Sequence, residues 1–329
     1  MKKITAMILL LAMVLALAAC SGGTNADDKN TDSSEDTYTI GVLYLDQEVL
    51  LSEATAGCQA YAAEHSNVKL IEYNANKDVS TQLKQCENLI SQNVDAIALT
   101  PVDGAGCDQI INACKDAGIP LICFHAKVKG APITNILFDN VGFGKMQVDY
   151  AMEIFEKSGG DMNGTINVGI VTGKLDNQNA VERCQGYEEQ LKNYANATIV
   201  DEQVGSWNRD DAMAIAENWI TSGRDIDIIL SNNDAMAIGI SLAYANANVE
   251  RPIIIGVGGT EEGLTAILNG DFDGTVFQPA YQNGYDAIDF TVKYLNGETL
   301  EESYVTEGVL VTPETAQATL DDLKAMLNS

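Results

Sequence analysis

Basic charge is scarce in this chain. Nineteen Lys and Arg stand against 47 Asp and Glu, for a net charge of −28. Such a surface repels nucleic-acid phosphates and anionic headgroups, which excludes both as partners of the folded body. The acids are dispersed, with no run of five after Thr37, and so serve solubility. Histidine is scarcer still: His65 and His125 are the only two, too few to complete a metal cluster with the cysteines. No GxSxG elbow, no GxxxxGK[ST] loop, no HExxH pair and no CxxC occurs. Hydrolase, nucleotide-phosphate, zincin and dithiol chemistries thereby lose their usual signatures. Gly256-Val257-Gly258-Gly259 follows a strand-like run but lacks the third spaced glycine of a dinucleotide loop.

Long apolar runs are also missing, with one exception at the start. Lys2 and Lys3 precede an apolar stretch from Ile4 to Ala19, shorter than the roughly 20 residues a spanning helix needs. It reads as an export signal over residues 1–19. Its end, Leu17-Ala18-Ala19-Cys20, resembles the bacterial lipobox, which implies lipidation of Cys20 and anchoring at the membrane. Residues 20–37 continue without an aromatic or large aliphatic side chain. They bury too little to offset ordering entropy and read as a disordered tether spanning roughly 20–25 Å. Export permits disulfides among Cys58, Cys86, Cys107, Cys114, Cys123 and Cys184. A body of this size needs no staples, so buried free thiols are the expected state.

From Tyr38 onward, short Val/Ile/Leu runs alternate with amphipathic helical stretches. Strands are expected at 38–45, 68–73, 96–100, 120–124 and 135–138, and again at 166–172, 198–204, 226–231, 253–257 and 274–278. Helices are expected at 80–91, 108–117, 144–156, 211–221 and 234–245. Continuous apolar runs suit parallel strands covered on both faces, and β-α alternation implies a doubly wound α/β fold. Two such sets predict two lobes joined by a hinge, with a solute held between the carboxyl ends of their strands.

Several strings then occur in a telling order. They are Asp139-Asn140-Val141-Gly142, Glu182-Arg183-Cys184-Gln185-Gly186-Tyr187, Gly205-Ser206-Trp207-Asn208, Ile229 to Gly239 (ILSNNDAMAIG), Ile255-Gly256-Val257 and Gly274 to Pro279 (GTVFQP). Together they resemble the type I periplasmic binding proteins, near the ribose-binding and galactose/glucose-binding members, over Tyr38 to about Pro313. The resemblance implies a monomeric capture subunit of an ABC importer, no enzymatic activity, and a small sugar-like ligand. Permease transmembrane subunits would be its partners, and it would sit periplasmically or on the outer face of the cell membrane. It implies a first lobe of 38–138 plus 279–305, a second of 139–278 plus 306–313, and a C-terminal helix over 314–329. A sensor lipoprotein for a furanone-type signal, polyol or nucleoside is the alternative. A repressor of related fold would need a basic face and an N-terminal helix-turn-helix, which the leader and the charge exclude.

The candidate ligand residues are Asp46, Glu48, Thr100, His125, Arg183, Trp207, Asn233, Gly258 and Gln278. Trp207 lies in a polar loop where no amphipathic period requires it, and its face suits the C–H side of a sugar ring. Asn233 follows a strand and opens a helix, so it reads equally as a cap and as a ligand group. Arg183 stands among polar neighbours, either as a surface arginine or, by the resemblance, as a fork on ligand oxygens. Gln278 ends a buried run and needs a partner, from ligand or hinge backbone. Three positions depart from the familiar relatives. The segment 46–51 lacks their aromatics, His125-Ala126 replaces an Asp-Arg pair, and Gly258 replaces an aspartate. His125, following a buried strand on the cleft side, is assigned to the ligand. A weaker similarity, to the calcium loop of some galactose/glucose-binding relatives, covers Asp161, Asn163, Thr165 and Asn167 with Asp227. A turn leading into a strand is the favoured reading there, and no cofactor is expected.

Overall fold

The computed structural model describes residues 36–104, 107–128, 130 and 132–328. The expected leader, Cys20 and most of the tether lie outside the described residues. The described residues form one compact unit.

The chain begins with β1 (Tyr38–Tyr44), α1 (Val49–Glu64), β2 (Val68–Asn74), α2 (Val79–Ser91), β3 (Ala96–Leu99), α3 (Asp108–Ala117), β4 (Leu121–Phe124) and β5 (Thr134–Phe138). It then enters α4 (Asn140–Lys157), β6 (Ile166–Thr172), α5 (Gln178–Leu191), β7 (Ala197–Val204), α6 (Arg209–Thr221), β8 (Ile228–Ser231), α7 (Asp234–Ala247), β9 (Ile253–Gly258), α8 (Glu261–Asn269) and β10 (Gly274–Phe277). The last elements are α9 (Ala280–Leu295), β11 (Ser303–Thr306), β12 (Val309–Val311) and α10 (Ala316–Leu327).

Two six-stranded sheets result, ordered β11-β5-β4-β3-β1-β2 and β12-β10-β9-β8-β6-β7. Every pairing is parallel except β10 with β12. The chain passes between the sheets after β5, after β10 and after β11. Helix α9 returns to pack on α1 in the first lobe, and α10 packs on α8 in the second. Thr306 pairs with Phe138, so the first sheet runs one residue beyond the expected 279–305 segment.

The continuous apolar runs are explained by two-sided burial. In β1, Ile40 and Val42 enter one cluster with Phe124, Ile136 and Ile288, while Leu43 enters another with Leu89, Ile97 and Ile110. In β4, Ile122 and Cys123 divide the same way. Four cysteines, Cys86, Cys107, Cys114 and Cys123, pack as small apolar side chains in the second cluster, and all six described cysteines are free. The second sheet is covered similarly, by α6, α7, α8 and α10 on one side and by α4 and α5 on the other. Helix starts carry their own caps: Asp78, Asp139, Asn208, Asn233 and Thr260 each accept from a backbone N–H of the following turn.

Ten strands were expected and twelve are found among the described residues. The two missed, β11 and β12, are short edge strands, half exposed along SYVT and VLV, so neither the apolar run nor clean alternation marks them. No described helix is long and apolar enough to cross a membrane.

Candidate functional site

The loops leaving the carboxyl ends of β1, β3, β4, β7, β8, β9 and β10 carry most of the candidates. Arg183 is the centre of the second-lobe side. It lies on α5, 3 % exposed, where α4 and α5 touch backbone to backbone. A Cβ at Gly144 would lie 2.2 Å from the Arg183 carbonyl, and one at Gly186 would lie 2.2 Å from that of Val141. That close crossing sets the guanidinium beside the start of α4. Its Nε donates to Asn140 Oδ1 at 3.0 Å, Nη1 to the Asn232 carbonyl, and Nη2 to Gln278 Oε1 at 2.7 Å. The guanidinium carbon stands 5.7 Å from the Phe143 ring centroid and 5.6 Å from that of Trp207. Burial pulls Arg183 down to about 10, which leaves it cationic at neutral pH.

Trp207 follows β7 with its backbone in the left-handed region (φ 66°), directly after Ser206 at φ 53°. A bulky residue held there is strained, and such strain gathers at functional sites. Its indole lies on Gly173, where a Cβ would meet the ring at 2.2 Å. Asn233 caps α7 through Oδ1 to the Met236 N–H at 2.9 Å, and its Nδ2 donates to the Trp207 carbonyl at 3.2 Å. The cap reading of Asn233 therefore describes its main work, together with fixing the tryptophan loop.

His125, leaving β4 of the first lobe, also has a positive φ, 70°. Its ring meets Phe138 edge to face at 5.5 Å, and its Nδ1 is buried without a hydrogen-bond partner. Burial, reinforced by the Arg183 charge, pulls it down to about 4, so it is a neutral imidazole. The two lobes meet here through a direct contact. Asn179 Nδ2, on α5, reaches the His125 carbonyl at 3.4 Å.

The remaining candidates divide. Gln278 is buried, and its partner is Arg183. Asp46 is buried after β1, accepts from the Glu48 N–H at 3.0 Å and has Lys77 Nζ 3.3 Å from Oδ2. Burial pushes its carboxyl up. Glu48 is exposed and paired with the same lysine. Thr100 is spent on the fold: its hydroxyl accepts from the Leu45 N–H at 2.8 Å and lies 3.4 Å from the Leu43 carbonyl. Gly258 offers no side chain and is held at φ 143° against the Asp234 carboxylate. Asp234 accepts from Thr275 Oγ1 at 2.6 Å and from the Thr260 N–H and hydroxyl at 3.0 and 3.2 Å. It ties α7 to strand β10 and to the loop after β9.

Sequence reasoning missed Asn140, Asn232 and Glu53. Asn140 and Asn232 lie within the quoted strings, and only the Arg183 contacts reveal their part. Glu53, on α1, is 3 % exposed with Oε2 unpartnered. The signal was present, since Glu53, Gly57 and Tyr61 share one helix face, and an acid there interrupts a buried stripe.

The loop at 161–167 is held by hydrogen bonds of its own. Asp161 Oδ1 accepts from the Asn163 N–H, Asn196 Nδ2 donates to the Met162 and Gly164 carbonyls, and Asp227 Oδ2 accepts from the Asn167 N–H at 2.7 Å. Thr165 is exposed. These hydrogen bonds form a turn leading into β6.

Residues 42–299 match the family model described as the periplasmic binding protein domain. The chain belongs to the periplasmic binding protein family. It is 30 % identical over 312 residues to a xylitol-binding protein of Mycolicibacterium smegmatis, covering 94 % of this chain and 84 % of that protein. It is 26 % identical over 300 residues to a galactofuranose-binding protein of Escherichia coli, covering 88 % and 92 %. Among solved structures, an ABC transporter solute binding protein from Bacillus halodurans with bound myo-inositol superposes with a TM-score of 0.78. That match has 29 % identity and covers 87 % of this chain and 98 % of the other. The expected architecture of two parallel-sheet lobes is that of the family, and so is the expected binding role without catalysis.

Proposed function

We propose that this protein is the extracytoplasmic capture subunit of an ABC importer for a neutral, polyhydroxylated solute, a sugar or a polyol. One observation carries the reading: a buried guanidinium packed against Trp207 and Phe143 lies on α5, whose Asn179 reaches the carbonyl of His125 on the other lobe, where the imidazole Nδ1 is buried without a partner. Arg183 has five N–H donors and three protein acceptors, leaving two for ligand oxygens. Neutral His125 Nδ1 accepts from a hydroxyl. A hydroxylated carbon skeleton supplies both partners and an apolar face for the indole. An anionic solute would enter beside Asp46 and Asp234, which disfavours it. The names of the relatives point the same way, toward xylitol, galactofuranose and myo-inositol.

Closure of the lobes would present a joined surface to permease subunits, and a lipid on Cys20 would hold the protein beside them. The test is a calorimetric and thermal-shift panel of pentoses, hexoses, furanoses, linear polyols and inositols. One member at a hundred times its Kd should stabilise the fold by about 2.7 kcal/mol. Stabilisation only by amino acids, nucleosides or anions would overturn the reading. Loss of acyl labelling in Cys20→Ser tests the anchor.

A further inference from the structure

Glu53 is a buried acid without a visible purpose in the fold. It lies on α1, 3 % exposed, and its Oε2 has no hydrogen-bond partner. None of the ion pairs among the described residues includes it. It cannot swing out to water by moving its helix. One turn later, a Cβ at Gly57 would lie 1.9 Å from the Tyr281 carbonyl, and one at Gly284 would lie 1.9 Å from that of Ala54. Helices α1 and α9 are thus locked backbone to backbone just behind Glu53.

The group that acts on Glu53 belongs to the other lobe. Asp46 and Glu48 precede α1, and α9 presents Tyr281, yet the charge that Glu53 feels is that of Asp234 on α7. Asp234 is already saturated by Thr275 and Thr260 and offers Glu53 no donor. An unsatisfied buried carboxyl is expensive, so a fold that keeps one there has a partner for it that enters from outside.

We propose that Glu53 is a ligand-contacting, specificity-determining residue whose carboxyl meets a hydroxyl of the solute when the lobes close. The proposal rests on the sugar-or-polyol reading of the cleft. Burial and the Asp234 charge push Glu53 up to about 8, so in the closed cleft at neutral pH it is a neutral acid. A neutral acid donates through its O–H and accepts through its carbonyl oxygen, which matches a hydroxyl and not an ammonium or a metal ion. It also couples binding to protons. In an open cleft an exposed glutamate titrates near its ordinary value of about 4.3, so closure at neutral pH takes up a proton.

The experiment is calorimetry of the purified chain with the best-binding polyol at pH 7.5, in buffers of different ionisation enthalpy. At that pH an ordinary histidine is already neutral, so His125 adds no proton change. The wild type should take up a substantial fraction of a proton, and its affinity should fall as pH rises from 6.5 to 8.5. Glu53→Gln should bind within about threefold of wild type at pH 7.5 with no uptake and a flat pH profile. Glu53→Leu should bind at least tenfold more weakly while remaining folded by circular dichroism. A Leu variant that binds like wild type, or a Gln variant with unchanged proton uptake, overturns the assignment alone. A wild-type protein that binds no polyol overturns the reading of the cleft and this proposal with it.

Discussion

Arg183 donates to Gln278 Oε1 at 2.7 Å, which ties α5 to the crossing between β10 and α9. The side chain proposed to meet the solute is therefore positioned by one of the segments that cross between the two sheets. Arg183→Lys keeps the charge but loses the planar fork and its place between two rings. Charge-assisted hydrogen bonds contribute about 1.5–3 kcal/mol each, so the lysine variant should bind roughly a hundredfold more weakly. Gln278→Leu removes one acceptor and should weaken binding about tenfold. Titration calorimetry against wild type measures both.

Trp207 lies on Gly173 and beside Arg183, so its indole should report ligand entry. Trp219, the other tryptophan, is buried, with its Nε1 on Asp201 Oδ2 at 2.8 Å. Emission should shift on ligand addition in wild type and in Trp219→Phe, but not in Trp207→Phe. Trp207→Ala should weaken binding by more than tenfold. A ligand-dependent shift that survives in Trp207→Phe would remove the indole from the site.

How much of this was legible beforehand depends on the range of the contacts involved. Strands such as β1 and β4 announce themselves because both faces are buried, whereas β11 and β12 gain their partners only from the distant β5 and β10. Arg183, Trp207 and Gln278 were found by the order of their strings and do converge. Thr100 also bonds to the backbone, Gly258 holds a positive φ and Asn233 also caps a helix, because local needs at strand ends call on the same residues as a ligand would. Asn140, Asn232 and Glu53 were missed because their roles arise from a helix crossing and from the opposite lobe. The 53/57/61 spacing marks Glu53 as an acid on a buried helix face, but no spacing along the chain encodes the contacts of Asn140 and Asn232.

Two buried groups give stability opposite pH slopes. The native value of His125, about 4, lies below the unfolded 6.5, so its contribution is complete above pH 6.5 and is lost as pH falls toward 4. Glu53 is raised to about 8 from 4.5, so its contribution is complete below pH 4.5 and is lost as pH rises toward 8. Denaturant unfolding of the protein saturated with its best-binding polyol, which holds the lobes closed, should show both limbs across pH 4–8.5. His125→Gln should flatten the acid limb and Glu53→Gln the alkaline one. Unchanged slopes in the two variants would show that neither group is shielded from water.

Five of the six described cysteines are buried, and burial pushes Cys58, Cys107 and Cys184 up to about 12. Thiolate, not thiol, is the reactive form. For a chain starting at Tyr38, without Cys20, native protein at pH 8 should therefore react slowly with a thiol reagent, half-exposed Cys184 first, and all six cysteines should react after denaturation. The Cys86 and Cys114 sulfurs lie 3.6 Å apart. A denatured count of four would mean that this pair is oxidised.

Gly258 and Asp234 occupy each other's space, and that excludes the aspartate expected from familiar relatives. A Cβ at 258 would stand 2.9 Å from Asp234 Oδ2, on a backbone at φ 143° that side chains rarely adopt. Gly258→Ala should lose about 2–4 kcal/mol from strain and overlap together. Asp234→Ala should lose a similar amount, because Thr275 and Thr260 are left with unpaired donors. Removing the carboxylate also removes what the new methyl strikes, so the double variant should be less destabilised than the two losses added. Chemical denaturation of all four proteins gives the coupling directly. Strict additivity would mean that backbone strain alone, and not the carboxylate, keeps position 258 a glycine.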